Sequence, residues 1–178
     1  MARRSSLLCL LLVFGLAPPA SAAGEAVQLR THEGQVLGEV LVDAPAAAAR
    51  RLLGNPDRVA RVEGRGAEIS SRKRGDCTES TIVAPSGVGK ISYTSLSCPT
   101  ETGFEGSLVS SKQIRTLKAR WTIEERGEQT LLKYELYAVP RIRVPQKLVA
   151  LLAKRGVGRL LGAVRDELEQ EAQQATPR

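Results

Sequence analysis

Hydrophobic and polar positions alternate over two stretches beyond the middle of the chain. In IRTLKARWTIEE, Leu117, Ala119, Trp121 and Ile123 fall on one face, and Lys118 and Arg120 fall on the other. In TLLKYELYAV, Leu132, Tyr134, Leu136 and Ala138 alternate with Lys133, Glu135 and Tyr137. A period of two is the mark of a strand with one buried face. Four further β-rich runs, AEISSRK, TESTIVA, KISYTSLSC and FEGSLVSS, lie between about Gly66 and Ser111, separated by Gly, Pro, Asp or charged turns. Upstream, QVLGEVLVDAP (Gln35 to Pro45) alternates as well. The pattern predicts an antiparallel meander with one apolar and one wet face. A second layer must then cover the apolar face.

The helical signals are fewer. PAAAARRLL is strongly helix-forming, with Pro45 at its start and Gly54 as its stop. Asn55 and Pro56 restart a second short helix as cap and first residue, with Val59 and Val62 as its apolar positions. The stretch from Lys147 to Leu168, opened by Pro145, is the only candidate long enough to cover the sheet. At 100° per residue, Leu148, Val149, Leu151 and Leu152 form one apolar stripe. Val157, Leu160, Leu161, Val164 and Leu168 form another, rotated far round the axis. The rotation falls at Arg155-Gly156-Val157-Gly158, so a bend or break is expected there. Gly156, Gly158 and Gly162 each cost about 1 kcal/mol relative to alanine. Two reasons for them stand side by side: close packing on the sheet, or room left for a guest molecule.

Charge along this helix is unusual. From Arg141 to Arg159 there are six basic residues and no acidic one, while Asp166, Glu167, Glu169 and Glu171 crowd the other end. Both ends oppose the helix macrodipole. A solvated face is the plain reading. The sharper one is peripheral contact with anionic lipid head groups through Arg141, Arg143 and Lys147.

Residues 1–22 change the picture of where the protein acts. Arg3 and Arg4, the apolar run Leu7 to Leu16 and the small residues Ala20-Ser21-Ala22 read as a secretory signal peptide cleaved after Ala22. A secreted or periplasmic protein is expected. Removing Arg3 and Arg4 takes the formal charge from +7 to +5. That is mildly basic and requires no polyanion. Export and a 3% aromatic content argue against nucleic acid as partner. Cys77 and Cys98 remain as an even pair in an oxidising compartment. If Gly87-Val88 form a two-residue hairpin turn with Gly87 in its first central position, Cys77 lies opposite Cys98. A cross-strand disulfide is expected, stabilising by about 3 kcal/mol in the loop-entropy treatment. Two reduced buried thiols are the alternative; a redox-active pair lacks the CxxC spacing.

Catalytic chemistry finds little purchase. The only histidine, His32, falls in the loose segment before Gln35. Neither serine nor cysteine has a nearby partner base, and no metal-ligand spacing or phosphate loop occurs. No cofactor is expected. Glu79 and Glu105 lie on strands, where an inward carboxyl would be a candidate general acid.

The order strand, two short helices, six strands, long helix resembles the START-like superfamily, and within it the polyketide cyclase/dehydrase and coenzyme Q-binding-protein branches. VLVDAPAAAARRLLGNPDRVARV resembles the family's opening strand and paired helices. WTIEERGEQTLLKYELYAVPRIRVPQKLV resembles its last hairpin and the entry to the final helix, and LLGAVRDELE resembles its closing helix. The resemblance implies an α+β helix-grip fold: a curved antiparallel seven-stranded sheet, two short helices and a long C-terminal helix around an apolar cavity. Residues 23–34 would be an N-terminal extension, 35–173 the ligand-binding domain, and 174–178 a fraying tail. The cavity would be lined by Tyr93, Trp121, Leu132, Tyr134, Leu136, Val157, Leu161 and Val164. Ser80, Thr81, Thr94 and Ser95 depart from the family pattern and raise a polar band within the cavity. The implied function is exported, non-catalytic binding or transport of a hydrophobic small molecule (lipid, isoprenoid or polyketide-like). A cyclase- or dehydratase-like enzyme and a protein-interaction module with a filled cavity are the alternatives.

Overall fold

The computed structural model describes residues 26–63, 66–86 and 89–175. The expected signal peptide, the turn pair Gly87-Val88 and the last three residues lie outside them. The chain forms strands β1 (Gln28–His32) and β2 (Gln35–Val42), and helices α1 (Ala46–Leu53) and α2 (Pro56–Glu63). Strands β3 (Glu68–Arg74), β4 (Cys77–Ser86), β5 (Gly89–Pro99), β6 (Gly103–Ser111), β7 (Ile114–Arg126) and β8 (Gln129–Pro140) follow, and helix α3 (Gln146–Ala175) closes the order. The sheet is antiparallel throughout and runs β1-β2-β8-β7-β6-β5-β4-β3.

Eight strands replace the expected seven. The additional one is β1, within the segment read as a loose extension. Glu33 and Gly34 both take positive φ, 48° and 79°, and join β1 to β2 through a two-residue turn between His32 and Gln35. Two positive φ values at the centre of a hairpin are the signature of a type I′ turn, whose twist matches that of the strands. His32 therefore stands on an edge strand, exposed beside Glu33.

The alternating pattern sets the register. Ile123 pairs with Leu132, Trp121 with Tyr134, Ala119 with Leu136 and Leu117 with Ala138. On the other side of β8, Leu132 meets Val40, Tyr134 meets Gly38 and Leu136 meets Val36. All these side chains share the face that meets the helices. α3 lies against β1, β2 and β8; α1 lies against β7 and β8; α2 lies against β3. The core is concentrated there: Val36, Val40, Val42, Leu52, Leu132, Leu161 and Leu168 are fully buried. Burial stabilises each such side chain by about 1.5–3 kcal/mol.

Two local bonds pin the short helices. Asn55 caps α2, its Oδ1 accepting from the Arg58 N–H at 3.1 Å. Thr130, fully buried, donates its hydroxyl to the Ala44 carbonyl at 2.6 Å and ties the start of β8 to the entry of α1. At the other end of the sheet Cys77 and Cys98 form the expected disulfide, with Cα atoms 4.2 Å apart and β4 and β5 in the register that the hairpin reading requires.

α3 departs from expectation. It runs unbroken for 30 residues through Gly156 and Gly158, and continues to Ala175. Its second stripe is buried: Val157, Leu161, Val164 and Leu168 face the sheet. The first stripe does not rotate onto the sheet. Leu148, Leu151 and Leu152 remain 44%, 46% and 51% exposed. No helix break is needed, because only one stripe is gripped.

Candidate site: the inward face between sheet and helix

Gly38 on β2 brings the helix close. A Cβ there would lie 2.7 Å from Val157 Cγ1 and closer still to Leu161 Cδ1. Gly158 plays the matching part on α3, where a Cβ would meet Leu29 Cδ1 at 3.0 Å. The helix is thereby drawn onto β1, β2 and β8, one side of the sheet. A Cβ on Gly156 or Gly162 would meet nothing within 4 Å. Close packing therefore accounts for Gly158, whereas Gly156 and Gly162 have no neighbour that a Cβ would meet.

Grip on one side leaves the other side uncovered. The inward residues of β2 and of the first half of β8 are buried, whereas those of β5, β6 and β7 remain half-buried over most of their length. Tyr93, Ser95, Leu108, Leu117 and Ala119 are among them. Trp121 and Tyr134 sit at the boundary, with ring centroids 4.4 Å apart and planes tilted by 35°. Both rings, with Leu136, pack against the buried core while keeping part of their surface open. Aromatic pairs in this offset geometry attract beyond their area burial.

The expected lining residues thus divide. Leu132, Val157, Leu161 and Val164 are buried core. Trp121, Tyr134 and Leu136 form the edge of that core, and Tyr93 stands on β5 further out. The expected polar band divides too. Ser80 and Ser95 pair on the inward face, and Ser80 exchanges a 2.9 Å hydrogen bond with Ser71. Thr81 and Thr94 point outward and bond to each other at 3.0 Å. The strand period of two places neighbours in sequence on opposite faces, so half of the four residues fall outside.

The two candidate acids, Glu79 and Glu105, are on the outer face. Glu79 is held by Arg72 at 2.5 Å and Arg74 at 3.2 Å; Glu105 is held by Arg120 at 2.6 Å. Neither is an inward acid. Glu124, also outward, is held below its usual carboxylate range, chiefly by the hydrogen bond from Lys133 and against the opposing effect of desolvation. Among the described residues, Tyr93 and Tyr134 place phenols on the inward face, and Glu125 shares that face at the exposed end of β7.

A separate hollow lies beside the start of α3, and none of the expected lining residues is in its wall. A depression of about 470 Å³ is lined there by Arg115, Tyr137, Arg141, Ile142, Arg143 and Gln146, among others. Arg141 donates from Nε to the Ser111 carbonyl at 3.1 Å, which fastens the β8–α3 connection to the end of β6. Sequence reasoning missed this hollow because its walls come from three separated segments. It missed Gly38 because a glycine in a strand carries no periodic signal.

No protein-family model and no curated protein matches the sequence. Solved structures do match. A START superfamily protein from Mycobacterium smegmatis superposes with a TM-score of 0.66 at 18% identity, covering 76% of this chain and 97% of that one. Zhui aromatase/cyclase from a Streptomyces species gives 0.67 at 14% identity, covering 82% and 96%. A STAR-related lipid transfer protein from Xanthomonas axonopodis gives 0.66 at 17% identity, covering 81% and 93%. With its curved antiparallel sheet, paired short helices and gripped C-terminal helix, this chain has the START-like fold.

Proposed function

We propose that the protein is an exported, non-catalytic carrier of a hydrophobic small molecule, a lipid, isoprenoid or polyketide-like compound, held between the sheet and α3. The observation that carries this reading is the half-buried apolar inward surface around Trp121, Tyr134 and Leu136, beside a helix gripped on one side alone. An apolar concave surface with a few hydroxyls is the usual make-up of a small-molecule site. Ser80 and Ser95 would face the more polar part of such a guest. The printed descriptions of two structural neighbours, a lipid transfer protein and an aromatase/cyclase, support a hydrophobic guest without naming it. Export rests on the signal-peptide pattern of residues 1–22 and the Cys77–Cys98 disulfide accords with it.

The aromatase/cyclase likeness also sustains the enzyme reading. Against it, Glu79 and Glu105 are ion-paired on the outer face and His32 is exposed on the edge strand. An inward phenol alone is a weak acid at neutral pH. The binder is therefore the better-supported reading.

Trp121 is the sole tryptophan, so intrinsic fluorescence reports on the site directly. Native mass spectrometry with organic extraction is expected to recover a copurifying apolar molecule. Titration with a long-chain fatty acid, an isoprenoid quinone and an aromatic polyketide is expected to shift Trp121 emission for at least one of them. Empty protein together with unchanged emission for all three would remove the carrier reading.

A further inference from the structure

The two ends of α3 treat their charges differently. At the acidic end, Glu167 and Glu171 both pair with Arg58 of α2, and Glu169 accepts from the Asp43 N–H at 3.3 Å. The macrodipole disfavours acids there, and intramolecular partners hold them in place. At the basic end, Arg143, Lys147, Lys154, Arg155 and Arg159 have no ion pair among the described residues. Between them stand Leu148, Leu151 and Leu152, on the side of α3 opposite Val157, Leu161 and Val164. Ile142, in the connection just before the helix, is 63% exposed. An apolar cluster ringed by unpaired bases, in a stretch from Leu136 to Val164 that holds no acid, is unlike an ordinary solvated face.

We infer that this end of the molecule is a docking surface for an anionic lipid bilayer. Ile142, Leu148, Leu151 and Leu152 enter the boundary between head groups and acyl chains, and Arg143, Lys147 and Arg155 meet the lipid phosphates. Charge complementarity selects this occupant over an apolar protein groove, since the bases surround the leucines and no acid interrupts them. A helix lying in the interface with basic and apolar residues side by side binds by both terms together. No helix among the described residues is long and apolar enough to cross a membrane. The arrangement is one of lying on the surface. The hollow lined by Arg115 and Arg141 lies at the same end of the molecule. This inference stands independently of the carrier reading: an empty protein that docks keeps the one and loses the other.

The test is cosedimentation of the purified chain lacking residues 1–22 with vesicles of phosphatidylcholine alone and with 30% phosphatidylglycerol added. Stronger binding to the anionic vesicles, weakened by salt, is expected. Exchanging Arg143 and Lys147 for glutamine is expected to weaken it by about fivefold per charge. The triple exchange Leu148→Ser, Leu151→Ser, Leu152→Ser is expected to reduce binding at least tenfold with an unchanged far-ultraviolet spectrum. Ile142→Ser lies outside the helix and gives an independent check should the triple variant fold poorly. Equal binding to both vesicle types overturns the inference. So does retention of full binding by the leucine and Ile142 variants. A wild-type dimer in sedimentation that the leucine exchange converts to monomer assigns the face to a second copy and overturns it as well.

Discussion

The two halves of α3 have nearly the same kinds of residue and opposite fates. From Val157 to Leu168 the helix buries Val157, Leu161, Val164 and Leu168 against the sheet. From Leu148 to Leu152 it shows three leucines to the outside. Hydrophobicity alone does not decide which leucine becomes core. Position relative to Gly38 does, because that glycine fixes where the helix touches β2. The comparison teaches that the grip is local, and that the rest of the helix is free for another task.

Leucine truncation breaks the comparison most strongly. Leu161→Ala is expected to cost about 2–5 kcal/mol, through lost burial and the cavity left behind. Leu151→Ala, on the exposed half, is expected to lie within about 0.5 kcal/mol of wild type. Urea denaturation followed by circular dichroism measures both. Equal losses would mean that the first half of α3 is also packed.

Gly38→Val is the next largest. Its branched side chain would occupy the space of Val157 Cγ1 and Leu161 Cδ1 and push the helix off β2. Overpacking of this kind costs about 1–3 kcal/mol. Hydrogen exchange is expected to rise through Val157 to Leu168, with Arg72 to Glu79 in the distant hairpin unaffected. A uniform rise across both regions would deny the local character of the grip.

Much of this fold was legible in the chain. The period-two runs located β2 to β8, the Asn55-Pro56 pair located α2, and turn chemistry agreed with the cysteine positions in setting the β4–β5 register. These signals are local, and local signals survive without knowledge of the fold. β1 was missed because five residues with a single clear inward leucine, Leu29, carry too short a pattern, and because Glu33 is not a usual residue for positive φ. The bend in α3 was inferred from glycines and a rotated stripe. No break interrupts the helix between Gln146 and Ala175, and the first stripe stays exposed because it has nothing to rotate toward. The candidate site was legible in part. Alternation put Trp121 and Tyr134 on one face, where their rings meet, whereas the division of the expected lining residues into core and open surface depends on how far α3 extends over the sheet, which no single strand encodes.

Glycine-to-alanine exchanges sharpen the picture within the helix itself. Gly156→Ala adds a methyl group into open space and removes a flexible residue, so a gain of about 1 kcal/mol is expected. Gly158→Ala brings the same helix preference but forces Leu29 Cδ1 aside, so its gain is expected to be smaller. Thermal melts of the two variants side by side compare them. If Gly156→Ala also lowers uptake of a bound apolar molecule while the helix gains stability, the open space beside Gly156 belongs to the guest.

The smallest effects come from charge, and they distinguish the two ends of α3 most directly. Arg58 holds Glu167 at 3.0 Å and Glu171 as well, across the α2–α3 contact. Arg58→Gln leaves both carboxylates near the negative end of the helix dipole without their cation. A loss of about 1 kcal/mol is expected, given that the pair is partly exposed. Adding Glu171→Gln to that variant is expected to restore part of the loss. Lys147→Gln at the other end removes a base from the positive end of the dipole and breaks no ion pair, so stability is expected to hold or rise by some tenths of a kcal/mol. Urea midpoints of the three variants at low and high salt measure this. The acids of α3 are then charges the fold has already satisfied, and the bases are charges it keeps at a small cost in stability, left for the anionic surface proposed above.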